Sequence, residues 1–382
     1  METLVQRLEK LVPGIVARRE EIESGRRVPA DIMKAVRDTG IFSLEVPRAI
    51  GGQEATPLEA LDALEILARA DGSVAWCAAQ ALVTGCVTGF MTEAGAKEIF
   101  ADPKAVTGGA FAPKGGAVRV DGGVRVSGRW QFISGIHNAE WLMLGCLVLE
   151  NGQPRMTPMG PEAIHVMVPA RTVEIHDTWY VSGLCGTGSQ DVSVNDLLVP
   201  ERHIFVVGDP SRRRPEPLYG MPLLGWYVAH VATVSLGVAR AALDEATEGA
   251  QRRVPTFTMA PLADQPTAQI ELARAEAKLS SARLLLREAI ADLWRVVSTG
   301  DHPAPRQLAF ARMAALNAAE VGASVTRTAS LLGGGSAIYS SSSLQRHMRD
   351  AEAITHHFSV AQGVWEDVGR VLMGRKPNAP MF

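Results

Sequence analysis

Cysteine is scarce in this chain: Cys77, Cys86, Cys146 and Cys185 are the only four in 382 residues, with no CxxC pair and no Cys/His cluster at zinc-ligand spacing. That pattern excludes a disulfide-stapled scaffold, gives no metal site, and suits free thiols in a reducing cytoplasm. Charge of one sign is equally lacking in excess. The 38 Lys and Arg face 41 Asp and Glu, a formal net charge of −3, with both signs scattered along the sequence. A nucleic-acid binder carries a basic stripe, and none is present. With 47% hydrophobic and 21% charged residues the chain holds ample material for a large core and is not disordered.

A secretory leader is not expected either, because METLVQRLEKLVPGIVARREEIESGRR is charged and amphipathic and has no continuous apolar run. Two stretches, residues 72–91 and 217–239, contain no Asp, Glu, Lys or Arg and approach the roughly 20 residues of a bilayer span. The first is flanked by Asp71 and Glu93, and the second is broken by Gly220, Pro222 and Gly225 and carries His230. Both read as buried core helices, with no membrane partner. The familiar cofactor and hydrolase signatures are missing too: GxGxxG after a strand, GxxxxGK[ST], HExxH and GxSxG.

From residue 1 to about 105 the apolar residues recur at helical spacing, as in Leu58, Leu61, Leu64 and Leu67, with Pro57 placed for a first helical turn. Residues 106–208 change to short alternating runs such as AVRVDGGVRVSG and WLMLGCLVLE, separated by Gly, Asn and Asp, which predicts antiparallel strands. After the joint GDPSRRRPEP, residues 209–382 return to long Ala/Leu/Arg helices interrupted by a Pro-broken loop at 254–268. Helices, then strands, then helices predict an α+β architecture in three domains.

Four segments place polar and glycine residues where a plain scaffold would not. SGRWQFISGIHNAEW (127–141) sets aromatics beside a hydroxyl and a glycine, which suits a wall for a planar heterocycle or a hairpin with core aromatics. DTWYVSGLCGTGSQDVSVNDLLVP (177–200) gathers N–H and hydroxyl donors at Gly186, Thr187, Gly188 and Ser189, as an anion nest or as simple turns. LLGGGSAIYSSSSLQRHMRD (331–350) offers three glycines with Arg346, His347 and Arg349, as a ligand contact or as a helix cap with solvated charges. In AITHHFSV, His356 and His357 lie about 100° apart on a helix, so only one readily faces a given pocket.

In order, EVPRAIGGQEATPLEALDALEILARADGSVAW, GGAFAPKGGA, SGRWQFISG, DTWYVSGLCGTGSQDVSV and GGGSAIYSSSSLQRHMRD resemble the acyl-CoA dehydrogenase fold. More narrowly, they are similar to its oxygenase branch, the group D two-component flavin-dependent monooxygenases. The resemblance runs over nearly the whole chain. It implies an N-terminal helical domain, a central antiparallel β-barrel domain and a C-terminal four-helix bundle, assembled as a homotetramer in the cytoplasm. Reduced flavin, FADH2 or FMNH2, would come from an NAD(P)H:flavin reductase and react with O2 to a C4a-hydroperoxyflavin that oxygenates a small aromatic or heteroaromatic substrate such as an indole or phenol.

Residue by residue, the resemblance assigns catalytic roles to His357 and Ser134. Ser134 aligns with the hydroxyl beside flavin N5, and His357 stands where either a peroxide or a substrate proton can be managed, its ordinary pKa of about 6.5 serving both. Trp130 and Phe132 would flank the flavin ring beside Ser134 and Gly135, Gly186 to Ser189 would run along its ribityl-phosphate side, and Gly333, Gly334, Gly335 and Ser336 would approach from the C-terminal domain. Trp76, Phe90, Trp226 and Phe358 are the candidates for an apolar substrate pocket. The dehydrogenase glutamate expected shortly after Arg349-Asp350 has no counterpart: Phe358 falls there. Proton abstraction from a thioester needs a positioned base, so a dehydrogenase would require a relocated one, with Glu201, Glu245 and Glu248 as candidates. An idle flavin or ligand binder is the third reading, disfavoured by retention of Ser134 and His357. A second histidine common in phenol hydroxylases of the branch aligns with Thr84, and its absence shifts the expectation toward indoles, amines and thioethers. The other histidines, His165 among them, read as surface or core residues, with His137 notable for its closeness to Ser134.

Overall fold

The computed structural model describes residues 2–158 and 160–378. The first hundred residues form α1 (Leu4–Val16), α2 (Arg19–Ser24), α3 (Ala30–Asp38), α4 (Pro57–Ala70), α5 (Gly72–Val87) and α6 (Glu93–Ile99). Local chemistry fixes the start of the two central ones. Pro57 opens α4, where its missing N–H costs nothing, and Glu59 reaches back to the Thr56 N–H at 2.8 Å. At α5 the buried Asp71 carboxylate accepts from the N–H groups of Ser73 and Val74 at 2.9 and 3.0 Å.

The middle of the chain holds β1 (Thr107–Val120), β2 (Gly123–Ile133), β3 (Trp141–Glu150), β4 (Gln153–Pro154), β5 (Met156–Thr157), β6 (Gly160–Pro161), β7 (Ala163–Pro169), β8 (Glu174–His176), β9 (Gln190–Pro200) and β10 (Ile204–Phe205). The main sheet runs β10-β7-β3-β1-β2-β9-β8, with β4 on β3 and a separate β5-β6 ribbon. This corrects the expected antiparallel barrel. β1 and β3 pair in parallel, so the sheet is mixed, and its order is an open path among the described residues. The hairpin β1-β2 is antiparallel as alternation predicted, but β3 enters beside β1 after the turn at residues 134–140 instead of beside β2.

The last third comprises α7 (Leu223–Arg252), α8 (Pro266–Ser298), α9 (Pro305–Gly333), α10 (Ser343–Thr355) and α11 (Gly363–Leu372). Helices α7 to α10 pack on one another, and α4 and α5 pack on α7. One hydrophobic cluster runs from Leu8 and Leu64 through Leu82 to Leu236, Leu286 and Leu316, joining the N- and C-terminal helices. The sheet has its own core around Trp130, Ile133, Leu144 and Val166. The two charge-poor stretches lie in α5 and α7, with 94% of each apolar window buried inside the fold, as core helices should be.

Candidate functional site

The candidate site lies where α5 and α7 face the sheet. Its first half comes from two loops. β2 slips register between Trp130 and Ile133, and Phe132 there takes a φ of +63°, which turns its ring outward to 66% exposure. The next residues form a tight turn in which Gly135 adopts φ +73° and its N–H bonds the Thr187 carbonyl at 2.8 Å. That bond zips the 134–138 turn to the 184–189 loop and brings three hydroxyls into line. Ser134 Oγ lies 2.8 Å from Ser189 Oγ, which lies 2.7 Å from Thr187 Oγ1. Asp350 pins the loop from behind by accepting the Leu184 N–H at 2.6 Å. Its burial, with Asp71 nearby, lifts this carboxyl to about 7.

Trp76 on α5 connects this cluster to the second half. Its indole N–H donates to Ser134 Oγ at 3.0 Å, and its ring meets the His357 ring edge-on at 5.4 Å between centroids. The tautomer of His357 follows from its partners. The Ser359 N–H can only donate and points at Nδ1 from 3.4 Å, and Ser359 Oγ is 2.7 Å from the same nitrogen. Nδ1 therefore accepts, and Nε2 carries the proton. That proton is directed at Tyr227 Oη, 3.0 Å away, and the phenol in turn donates to Gln80 Oε1 at 3.3 Å. Burial holds His357 down to about 4 and raises the Tyr227 phenol, so both are neutral near pH 7. Phe358 covers the outer face of His357, with ring centroids 4.6 Å apart, and Phe111 of β1 lies 5.6 Å from Tyr227.

The sequence-predicted residues divide clearly. Ser134, Gly135, Thr187, Ser189, Trp76, His357 and Phe358 converge, with Phe132 at the rim, perpendicular to Trp179 at 6.1 Å. Trp130 does not flank an open face, which corrects the expectation. It is fully buried in the sheet core and donates to the Gly145 carbonyl at 2.7 Å, because the register slip turns only Phe132 outward. Trp226 is likewise interior, its N–H on the buried Glu45 carboxylate at 3.2 Å and its ring against His230, on a different side of α7 from Tyr227. Phe90 is buried in a cluster with Val46, Met143 and Phe205, apart from the rings that contact His357. Gly186 serves close packing, since a Cβ there would lie 2.2 Å from Ile22.

The turn from Gly333 to Ser336 sits at the end of α9 against Leu344 and Arg253 and contributes nothing to the hydroxyl cluster within its own chain. Arg346, His347 and Arg349 are also occupied internally. Arg346 and Arg349 both hold Glu23, and His347 lies 3.3 Å from Glu245. Glu245 is further held by Arg19 and Ser343 and is ionised well below the usual carboxylate range, Glu248 pairs with Arg252 on the surface, and Glu201 is exposed. Among the described residues, none of the three carboxylates has a hydrogen bond to His357, Trp76 or Ser134. His356 is exposed, leaving His357 as the inward member of the pair.

Sequence reasoning missed Gln80, Phe111, His165 and Tyr227. Tyr227 was hidden in the apolar first half of α7, and only its position beside Trp226 in a charge-free run marked it. The residues present fit a flavin: an exposed ring at Phe132 and a half-buried one at Trp179 stand beside three aligned hydroxyls and a neutral imidazole, a donor set suited to a planar, polar-edged heterocycle.

Comparison with known proteins places the fold in a family. The N-terminal domain of acyl-CoA dehydrogenase matches residues 2–102, and the C-terminal domain matches residues 229–362. An indole-3-acetate monooxygenase from Pseudomonas putida is 32% identical over 97% of this chain and 94% of its own. The oxygenase subunit HsaA, a flavin-dependent monooxygenase from Rhodococcus jostii, is 30% identical over 91% and 92%. The crystal structure of a 3-HSA hydroxylase from Rhodococcus superposes over 100% of this chain and 99% of its own, with a TM-score of 0.90 and 27% identity. A fold shared end to end, a neutral histidine beside a hydroxyl cluster, and no carboxylate where a dehydrogenase keeps its base together make this chain a member of the acyl-CoA dehydrogenase family, in its branch of flavin-dependent monooxygenases.

Proposed function

We propose that the chain is the oxygenase component of a two-component system, taking FADH2 or FMNH2 from an NAD(P)H:flavin reductase and using O2 to oxygenate a small aromatic or heteroaromatic substrate such as an indole or phenol. The observation that carries this reading is the connected set His357–Trp76–Ser134, in which a proton-bearing Nε2 and a fixed hydroxyl flank one indole. Reduced flavin supplies the electrons that activate O2. The protein's share is to hold Ser134 Oγ in place through Trp76 and Ser189, to keep a proton on His357 Nε2, and to exclude water with Phe358, Phe111 and Trp76. His357 is neutral, so its Nε2 N–H serves as a hydrogen-bond donor at pH 7 while Nδ1 stays engaged by Ser359.

The oligomer belongs to the same reading. Leu331, Ile338 and Tyr339 are 70% exposed or more around the Gly333–Ser336 turn, which supports a homotetramer in which this turn serves the flavin of a second copy. Free cysteines, three of them buried, support a cytoplasmic location. The test is a stopped-flow trace of protein with anaerobically reduced FMN or FAD mixed with oxygenated buffer. A slow reoxidation that changes course when indole or phenol is added supports the reading. Reduction of bound oxidised flavin by an acyl-CoA thioester, with no reductase present, overturns it in favour of dehydrogenation.

A further inference from the structure

A second histidine, read from the sequence as a surface or core residue, stands one ring beyond Tyr227 in the structure. Strand β7 alternates: Ile164, Val166 and Val168 point into the sheet core, so His165 points to the opposite face, toward the helices. Register places it opposite Gly145 of β3 and Phe205 of β10. Gly145 matters here because β1 bulges between Ala110 and Gly115 and crosses directly over it. A Cβ at Gly145 would lie 2.4 Å from the Phe111 carbonyl oxygen. With no side chain in the way, that carbonyl reaches 3.2 Å from His165 Nε2.

A carbonyl only accepts, so Nε2 carries the proton and Nδ1 presents its lone pair. Nδ1 is buried and has no hydrogen-bond partner among the described residues. An unmatched buried acceptor in a native fold asks for an explanation. A row of rings connects it to the candidate site: the His165 ring abuts Phe111 at 6.0 Å, Phe111 abuts Tyr227, and Tyr227 abuts His357. Across this row, Gln80 Nε2 is a second buried atom without a partner, and it is a donor. Burial holds the His165 ring down to about 4, so the acceptor persists at neutral pH.

Building on the monooxygenase reading, we propose that His165 Nδ1 anchors the substrate by accepting a hydrogen bond from an O–H or N–H on an uncharged aromatic ring. The class is thereby narrowed to hydroxyarenes and N–H heteroarenes, and thioethers and ring ethers are excluded. The lost histidine at Thr84, whose hydroxyl is turned to the Gln80 carbonyl at 2.8 Å, does not argue against phenols, because the acceptor is supplied from β7.

The experiment compares indole with benzofuran, an isostere without the donor, in the flavin-loaded full chain. Equilibrium binding and product formation are both measured, for the wild type, His165→Phe and His165→Gln. The expected wild-type preference for indole is about 10-fold or more in dissociation constant, the usual scale for leaving a buried partner unmatched. His165→Phe should erase that preference, with flavin binding measured alongside to show that the fold is intact, and His165→Gln, which keeps an acceptor, should restore part of it. Equal binding of the two probes by the wild type, a preference that survives His165→Phe, or no binding of indole overturns the proposal. Selective binding without oxygenation would sink the monooxygenase reading and leave the anchor standing. Oxygenation of both probes alike would do the reverse.

Discussion

Replacing Tyr227 by Phe removes one oxygen and two hydrogen bonds from the centre of the site. His357 Nε2–H loses its acceptor at 3.0 Å and Gln80 Oε1 loses its donor at 3.3 Å, while the ring contacts to Phe111 and Phe358 remain. The phenol is held protonated by burial, so the change removes a neutral group and alters no charge. Each bond contributes about 1 kcal/mol net, and each stranded buried partner costs about 1–3 kcal/mol, so a loss of about 2 kcal/mol in stability is expected after local relaxation. The functional effect follows from orientation. A tether of about 1.4 kcal/mol favours the present tautomer and pose of His357 about tenfold over alternatives, so without it the competent fraction falls from about nine-tenths to about half and product formation should fall about 2-fold. The assay supplies reduced flavin and O2 and measures product and hydrogen peroxide together: product should fall and peroxide should rise, with flavin affinity retained. A Tyr227→Phe protein with unchanged partition between product and peroxide, and a stability within about 0.5 kcal/mol of the parent, would refute the directional chain His357–Tyr227–Gln80.

Four further outcomes are expected. His357→Ala should lower turnover about 100-fold or more if its proton takes part in the chemistry, measured as the rate of product formation at saturating reduced flavin. Ser134→Ala strands the Trp76 N–H and frees Ser189, and should increase peroxide release while lowering the melting temperature, read in a parallel thermal scan. His165 and His357 are both held near 4, against about 6.5 in an unfolded chain, so the unfolded state binds more protons between those values. Their contribution to stability is therefore complete above about pH 6.5 and declines as the pH falls toward 4; melting temperatures across that window should drop less steeply in His165→Phe. Finally, Gly115→Ala puts a Cβ 2.2 Å from the Trp130 ring and should destabilise the sheet by about 1–3 kcal/mol or more, seen as a lower denaturant midpoint.

Much of this was legible in the chain because it was local. Pro57 and the charge-free runs fixed α4, α5 and α7, and alternation marked the strands between residues 106 and 208. Motif order singled out Ser134 and His357, which the fold brings to either side of Trp76, and the absence of a carboxylate at Phe358 was plain by inspection. Trp130 was misassigned because two residues apart on a strand normally share a face, and a register slip that reverses Phe132 leaves no local signature. The parallel pairing of β1 with β3 was equally invisible, since alternation states which face a residue occupies and not which strand lies beside it. His165 and Tyr227 escaped for a third reason: their partners lie 54 and 130 residues away, and a histidine in an apolar strand reads as ordinary packing until the bulge over Gly145 is known.

The hydrophobic cluster that unites the first and last helices has a consequence for how the molecule is made. Helix α7 buries one side against α4 and α5, so a fragment beginning near residue 209 would emerge with that side bare, and a fragment ending near residue 105 would lack its cover. The polypeptide is thus a single folding unit whose two ends must meet, with the strands inserted between them as a long excursion. A ribosome releasing it in order leaves the first hundred residues without the α7 surface they pack on until that helix appears.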